Sequence, residues 1–356
     1  MSSPRLEIHL DRLHHNALSL NRRLARQGIA LTGVSKACLG MPAIIRTWAE
    51  AGISSIGESR VDTLEGLRST GIALPLVLIR SPLVSQVERV VATGAISLNS
   101  ELAVLRLLAA AAARQGRRHG VVLMVELGDL REGFLAEDLQ EAAGQTLALS
   151  SLDLVGIGAN LGCQHGVAPD DRNMAELSGL ATAIEAHHGV SLKWVSGGNS
   201  CNLAWLAAGG SRGRINHLRI GEALLLGRDP LSRQPIPGLL TNAIGLVAEV
   251  IEAKRKPSQA WGRCGQTSFA AQPTQGSDRG VRSRALLAVG EQDVDCTGLT
   301  APGDLRIMGA SSDHLVIEDP AGALVVGQDV PFELNYSALL RAMTSPFVQR
   351  TCLGLN

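Results

Sequence analysis

From residue 29 to about 227 the chain repeats one pattern: a short β-rich apolar run, a polar or glycine turn, then a stretch whose apolar positions recur at helical spacing. The runs IALTGVSK (29–36), SSIGESR (54–60), LPLVLIR (74–80), AISLNSE (95–101), GVVLMVELG (120–128), LDLVGIGANL (152–161), LKWVSGGN (192–199) and HLRIGEALLLG (217–227) predict eight strands. Seven helical stretches follow the first seven strands. An eighth, Asp11 to Gln27, precedes strand one and offers Leu13, Leu18, Leu20 and Leu24 for its inner face. Eight strands and eight helices over about 215 residues predict an α/β fold closed as a parallel (β/α)8 barrel of the TIM type, since an open doubly wound sheet usually has fewer strands.

After Arg228 the pattern changes. PLSRQPIPG reads as a proline-bearing linker, and LLTNAIGLVAEVIEAK, RSRALLAVGEQDVD, LRIMGASSDHLVIED and DVPFELNYSALL read as strands. The turns between them carry Gly, Pro and Asp without crossover helices, so a C-terminal, mainly antiparallel β-domain of about 125 residues is expected. The stretch from Lys256 to Arg282 is long for a structureless connection, and such loops serve as lids or binding loops or stay disordered.

At 356 residues, 45% hydrophobic and 19% charged, the chain can bury a large core, which excludes wholesale disorder. Lys and Arg number 33 and Asp and Glu 33, so nothing points to nucleic acid or an anionic membrane, and a small-molecule ligand is expected. The longest apolar run, around Leu102 to Ala113, is broken by Arg106 and too short to span a bilayer. Six cysteines (Cys38, Cys163, Cys201, Cys264, Cys296, Cys352) show no metal-binding spacing, and the N-terminus lacks an apolar signal region. A reducing cytoplasm and no metal are therefore expected. Cys38, Cys163 and Cys201 read as buried, inert thiols and His165 as a loop histidine.

Reactive groups of such a barrel gather where its strands end. Of only four lysines, Lys36 ends strand one, Lys193 begins strand seven on the opposite face, and Lys254 and Lys256 read as a solvated turn beside a proline. A desolvated lysine at a strand end can bond a carbonyl as a Schiff base. Strand seven runs into SGGNSCNL, where Gly197 and Gly198 let backbone approach a ligand and Asn199 or Ser200 caps the next helix, an arrangement suited to phosphate. Strand eight adds Arg219 and Gly221; strand five leads into Asp129, Arg131 and Glu132, which a structural ion pair explains equally well. Lysine, glycine turns and inward arginines together suggest pyridoxal phosphate.

On these residues the chain resembles the alanine-racemase-like, fold type III group of pyridoxal-phosphate enzymes over nearly its whole length. LEIHLDRLHHN is similar to the group's opening strand and helix, GVSK to its cofactor-lysine strand and LRIG to its arginine motif. GESR, SLNSE, GDLREG, GIGANLGC, SGGNS, LRIGEALLLGR, GASSDHL and LRAMTSP resemble ornithine racemases in particular. The resemblance implies an N-terminal strand (1–11) joining the β-domain, a cofactor-binding barrel (12–230) and a C-terminal β-domain (231–356). It also implies a homodimer whose sites are completed by the partner's β-domain. Lys36 would hold the cofactor, Arg131 its phenolic oxygen and Arg219 its ring nitrogen, with Asn160 beside the ring. Ser196, Gly197, Asn199, Ser200, Ile220 and Gly221 would surround the phosphate.

Related decarboxylases place a carboxylate at the ring nitrogen; the matching position here is Arg219, a cation that disfavours protonation there. That favours racemisation, with ornithine or a related basic amino acid as expected substrate. The alternatives are an alanine or broad-spectrum racemase, a decarboxylase of the same fold, and a cofactor-carrying homeostasis protein. A second acid–base group is also required. The relatives' tyrosine is matched by Glu291, their carbamylated lysine by Met124, and a phosphate-contacting tyrosine by Gly40. The only tyrosine, Tyr336, reads as packing, which leaves Asp313 and His314, then Glu291 and Asp293, as candidates. For a distal substrate ammonium, Glu58, Glu101, Asp129, Asp293 and Asp295 are all nominally available.

Overall fold

The computed structural model describes residues 3–266, 268–269 and 277–354. In chain order the first elements are β1 (Arg5–His9), α1 (Leu10–Ala25), β2 (Ala30–Val34), α2 (Pro42–Glu50), β3 (Ser55–Glu58), α3 (Val61–Ser69), β4 (Leu76–Leu78), α4 (Val87–Thr93) and β5 (Ile96–Asn99). Next come α5 (Leu102–Arg114), β6 (His119–Val125), α6 (Ala136–Leu147), β7 (Leu152–Ala159), α7 (Asp171–His188), β8 (Trp194–Ser196), α8 (Asn202–Ala207), β9 (His217–Ile220) and α9 (Glu222–Leu226). The C-terminal elements are β10 (Ile244–Pro257), β11 (Val281–Leu287), β12 (Leu299–Thr300), β13 (Arg306–Ala310), β14 (Leu315–Glu318), β15 (Asp329–Leu334), α10 (Tyr336–Thr344) and β16 (Gln349–Leu353).

Asp11–Thr241 forms one compact unit; the chain up to Leu10 and from Asn242 onward forms the other. In the first, β2 to β9 close into a parallel barrel in sequence order, β9 pairing back onto β2. Val77, Leu98, Val122, Met124 and Trp194 pack together as a buried cluster, so this part of the barrel is filled core. Met124 therefore belongs to packing.

Two expectations are corrected here. The run 217–227 is not one strand: β9 stops at Ile220 and Glu222–Leu226 is α9, because after Gly221 the residues EALLL are good helix formers. Each barrel strand is thus followed by its own helix, and α1 is additional. The segment 231–241, expected to open the second domain, belongs to the barrel unit. Asn16 on α1 holds it with its amide: Nδ2 donates to Leu240 O (2.9 Å) and Oδ1 accepts from Leu240 N (2.7 Å).

In the other unit the strand order is β12-β15-β10-β11-β14-β13, antiparallel throughout. β1 pairs antiparallel with β10 and parallel with β16. The period-2 pattern of β15 buries Val330, Phe332 and Leu334 and exposes the residues between them. Lys254 and Lys256 are not in a turn: they lie in β10, paired with Arg284 and Arg282 of β11, and both bond Glu252. Their charge suggested a loop, but alternation lets a strand keep one face solvated. Of the expected loop at 256–282, residues 267 and 270–276 lie outside the described residues.

Candidate active site

A connected polar network runs through the barrel from the start of β3 and β9 to the end of β8. Thr32 Oγ1 lies 2.6 Å from Ser55 Oγ and 2.7 Å from His217 Nε2, while His217 Nδ1 lies 2.8 Å from Ser196 Oγ. The His217 ring stacks on Trp194 with centroids 4.2 Å apart and planes within 2°. Burial, then the neighbouring Arg219 charge, pull His217 down to about 3, so the imidazole is neutral at physiological pH. Arg219 is 5% exposed and donates to Ser196 Oγ and, at 2.7 Å, to Ala159 O. Burial lowers its guanidinium to about 10, so it stays cationic, with neutral acceptors at these two bonds. The Ser196 hydroxyl is thus engaged in orienting Arg219.

Beside Arg219, the Asn160 side-chain oxygen accepts from Arg131 Nη2 at 2.9 Å. Asn199 Nδ2 donates to Leu161 O at 2.8 Å, tying the end of β8 to the end of β7. Arg131 pairs with Glu132. Cys163, expected to be a buried thiol, is instead exposed. Asp129 is fully buried and accepts from the backbone N–H of Cys163 (3.0 Å), Gln164 (2.8 Å), His165 (3.2 Å) and Val167 (3.3 Å). Burial pushes its carboxyl up, but these four donors together hold it below the usual range. Asp129 is therefore a clamp on the 163–167 loop, with both oxygens occupied, and not a free anion for a substrate. His165 is held in the same clamp, Nδ1 lying 2.9 Å from Asp129 O.

The turns after β8 and β9 each carry a glycine against which the protein packs too closely for a side chain. Gly198 has φ +140°, and a Cβ there would fall 2.4 Å from Asn202 Oδ1; a Cβ on Gly221 would meet Val34 O at 3.0 Å. Ser200 Oγ accepts from Ala223 N at 3.2 Å, joining the SGGNS turn to the turn that follows Ile220. Lys36 is half-buried one residue beyond Ser35, whose N–H donates to Gly57 O at 2.9 Å. Its charge acts on two carboxylates, Glu58 at the end of β3 and Glu222 at the start of α9. A Cβ on Gly40 would lie 2.5 Å from Thr63 Cγ2, so no tyrosine fits there in this backbone arrangement. Lys193 is exposed at the opposite end of β8. Among the described residues no cluster of His, Cys, Asp or Glu suits a metal ion.

The candidates for a second acid–base group gather in the β-rich unit. Glu291 N and Gln292 N donate to Ser311 O and Ser312 O at 2.9 and 3.0 Å, so the 290–293 turn lies on the 311–314 loop. A Cβ on Gly290 would fall 2.5 Å from Asp313 N. Asp313 Oδ1 lies 3.0 Å from His314 Nδ1, and burial, then the Asp313 charge, raise the Asp293 carboxyl. Asp295 is engaged elsewhere, accepting from Thr297 Oγ1 at 2.6 Å and Ser337 Oγ at 2.5 Å.

Two features had no signal in the sequence. The four amides on Asp129 come from residues more than thirty positions away, and Glu58, one carboxylate among several, proves to be 2% exposed.

Residues 8–229 match the family model for the alanine racemase N-terminal domain. The chain is 37% identical over 353 residues to the lysine racemase of Thermotoga maritima, covering 98% of both chains. It is 34% identical over 354 residues to the ornithine racemase of Acetoanaerobium sticklandii, covering 98% of this chain and 99% of that one. Among solved structures, the alanine racemase of Streptomyces lavendulae superposes with a TM-score of 0.78 at 19% identity, covering 100% of this chain and 98% of that chain. The D-threonine aldolase of Filomicrobium marinum does so with 0.75 at 15%, covering 96% and 88%. At such identities these likenesses speak to the fold alone. With the family match covering more than half of its length, and two full-length relatives above 30% identity, the chain belongs to the alanine racemase N-terminal domain family.

Proposed function

We propose that this protein is a pyridoxal-phosphate-dependent amino-acid racemase acting on ornithine, lysine or a similar basic amino acid. The single observation that carries the reading is Arg219: a buried guanidinium, cationic at neutral pH, held by Ser196 and the Ala159 carbonyl at the end of the barrel that also carries Lys36. The names of the two full-length relatives support the substrate class.

The residues fit the cofactor. Lys36 is the lysine at this end of the barrel for its aldehyde, Arg131 and Asn160 lie beside Arg219, and the turns carrying Gly198 and Gly221 are where we place its phosphate, near Gly197, Asn199, Ser200 and Ile220. When bound, pyridoxal phosphate supplies an electron-withdrawing ring that makes the Cα proton of an attached amino acid acidic. Lys36 removes and returns that proton on one face. Arg219 offers a donor to the ring nitrogen and, as a cation, opposes its protonation. Side reactions that need a deep electron sink, decarboxylation and transamination among them, are thereby disfavoured. Asp313 and His314, then Glu291 and Asp293, are the groups we assign to the opposite face.

A homodimer in which the partner's β-rich unit completes each site belongs to this reading, as does a reducing cytoplasm, in keeping with six cysteines that form no disulfide. The test is incubation of L- and D-ornithine, lysine and alanine in deuterated buffer with added cofactor, followed by chiral analysis. Deuterium at Cα with appearance of the opposite enantiomer of a basic amino acid is the expected result. Release of carbon dioxide, or exchange with no amino acid, would replace this reading with the decarboxylase or the carrier.

A further inference from the structure

Within the β-rich unit, the ends of β10 and β14 and the starts of β11 and β13 border a cleft of about 450 Å³. Its lining includes Arg255, Arg279, Arg282, Arg306, Glu318 and Asp319. Antiparallel pairing gathers them: Arg255 lies opposite Ser283, Lys256 opposite Arg282, and Arg306 opposite Glu318. Four guanidinium groups and two carboxylates thus share one concave space.

Both carboxylates are already engaged. Glu318 is 3% exposed and accepts from Arg279 Nη1 at 3.1 Å and Nη2 at 2.7 Å, with Arg306 Nη1 at 3.6 Å. This two-pronged contact fixes the plane of the Arg279 guanidinium. Asp319 is buried and accepts from the backbone N–H of Ala321 (3.1 Å), Gly322 (3.0 Å) and Leu324 (2.8 Å), so its charge closes the turn after β14. The acids nearby in the chain are committed too. Glu252 pairs with Lys254 and Lys256, and Asp278 Oδ1 accepts from Ser258 Oγ and Gly280 N, each at 2.8 Å. Among the described residues, Arg255 and Arg282 take part in no ion pair.

A cleft lined by cations whose own acids are engaged focuses a positive field and favours an entering anion. Two charges without a counter-ion match a dianion, and the guanidinium fork matches phosphate oxygens, which it meets in parallel pairs. The volume lies within the roughly 300–1,000 Å³ usual for small-molecule sites, so a phosphate and the body of a molecule carrying it both fit. We propose that this cleft binds a dianionic phosphate group, free or borne by a small molecule, through Arg255 and Arg282, with Arg279 and Arg306 held alongside by Glu318. None of these residues is assigned to the cofactor or to proton transfer, so the site is additional to the proposed activity.

The test is modification of the full chain by phenylglyoxal, which attacks arginine side chains, with each site followed by mass mapping. The probes are inorganic phosphate and phenyl phosphate, against sodium chloride at matched ionic strength. At a probe concentration about ten times its Kd, modification of Arg255 and Arg282 should slow about tenfold, the factor simple occupancy gives. The exposed Arg46 and Arg172 should be unaffected. Tighter protection by phenyl phosphate would identify a phosphate ester as the ligand, and tighter protection by inorganic phosphate the free ion. Protection no greater than chloride gives, or spread equally to Arg46 and Arg172, would overturn the proposal. So would protection confined to Arg131, which would place the phosphate beside the cofactor residues. In Arg282→Gln, the phosphate concentration that half-protects Arg255 should rise about tenfold or more, because one charged donor is gone. An unchanged half-point would overturn the shared site, and the measurement on the parent chain decides the matter should that variant not fold.

Discussion

At the scale of single residues, the chemistry rests on groups whose burial opposes their charge. Arg219 at 5% exposure carries a charge that burial has weakened only to about 10, and its bonded partners are uncharged. Arg219→Glu would reverse the charge presented to the ring nitrogen; the account expects transamination to rise relative to racemisation, measured as keto acid formed per enantiomer formed, and an unchanged ratio would count against that role for Arg219. Glu58 makes a second, thermodynamic prediction. Its carboxyl is raised to about 7 in the folded chain, above the ordinary glutamate value. For a raised group the favourable contribution is complete below the unfolded value, about 4.3, and is lost as pH rises through about 7. Glu58→Gln should therefore melt at higher temperature than the parent at pH 8, by up to roughly 3 kcal/mol, with the difference gone near pH 4. A variant less stable than the parent at pH 8 would mean that the charge is not held against its own cost.

At the scale of elements, turns and loops are where the site depends on details that the pattern of apolar residues does not contain. Gly198 at φ +140° with Asn202 Oδ1 2.4 Å from a would-be Cβ makes the β8–α8 turn intolerant of any side chain. Gly198→Ala is expected to lower stability by about 1–3 kcal/mol and to weaken cofactor retention on dialysis; full retention at parental Tm would contradict the cradle assigned to that turn. Asp129 holds the 163–167 loop through four backbone donors, a contribution present at neutral pH and lost as pH falls through its depressed value. Asp129→Ala leaves those amides without an acceptor and should cost about 1–3 kcal/mol, seen in thermal melting. The barrel itself was legible because parallel strands buried on both faces leave unbroken apolar runs. Their ends were not: 217–227 read through Gly221 because LRI and ALLL are equally apolar, and only helix preference separates them. Lys254 and Lys256 read as a turn because charge is a poor guide on a strand with one solvated face. The strand-end placement of Lys36, Arg219 and the SGGNS turn followed from the repeat, while their roles toward a cofactor came from the family resemblance; the clamp by Asp129 and the burial of Glu58 depend on partners distant in sequence.

For the whole molecule, the candidate groups divide between the two units. The barrel unit carries Lys36, Arg131, Asn160 and Arg219, while Glu291, Asp293, Asp313 and His314 gather in the β-rich unit. If a partner subunit supplies the latter to each barrel, racemase activity should fall on dilution below the dimer's dissociation range while cofactor remains bound to Lys36; light scattering against activity tests this, and activity tracking monomer concentration alone would refute it. No described helix is long and apolar enough to cross a membrane. The claim on which all of this depends is that Lys36 bonds the coenzyme, and borohydride reduction of the protein loaded with pyridoxal phosphate tests it most directly. Digestion and mass mapping should find the reduced coenzyme on the Lys36 peptide and on none of those bearing Lys193, Lys254 or Lys256. A label on another lysine, or on none, would contradict the account.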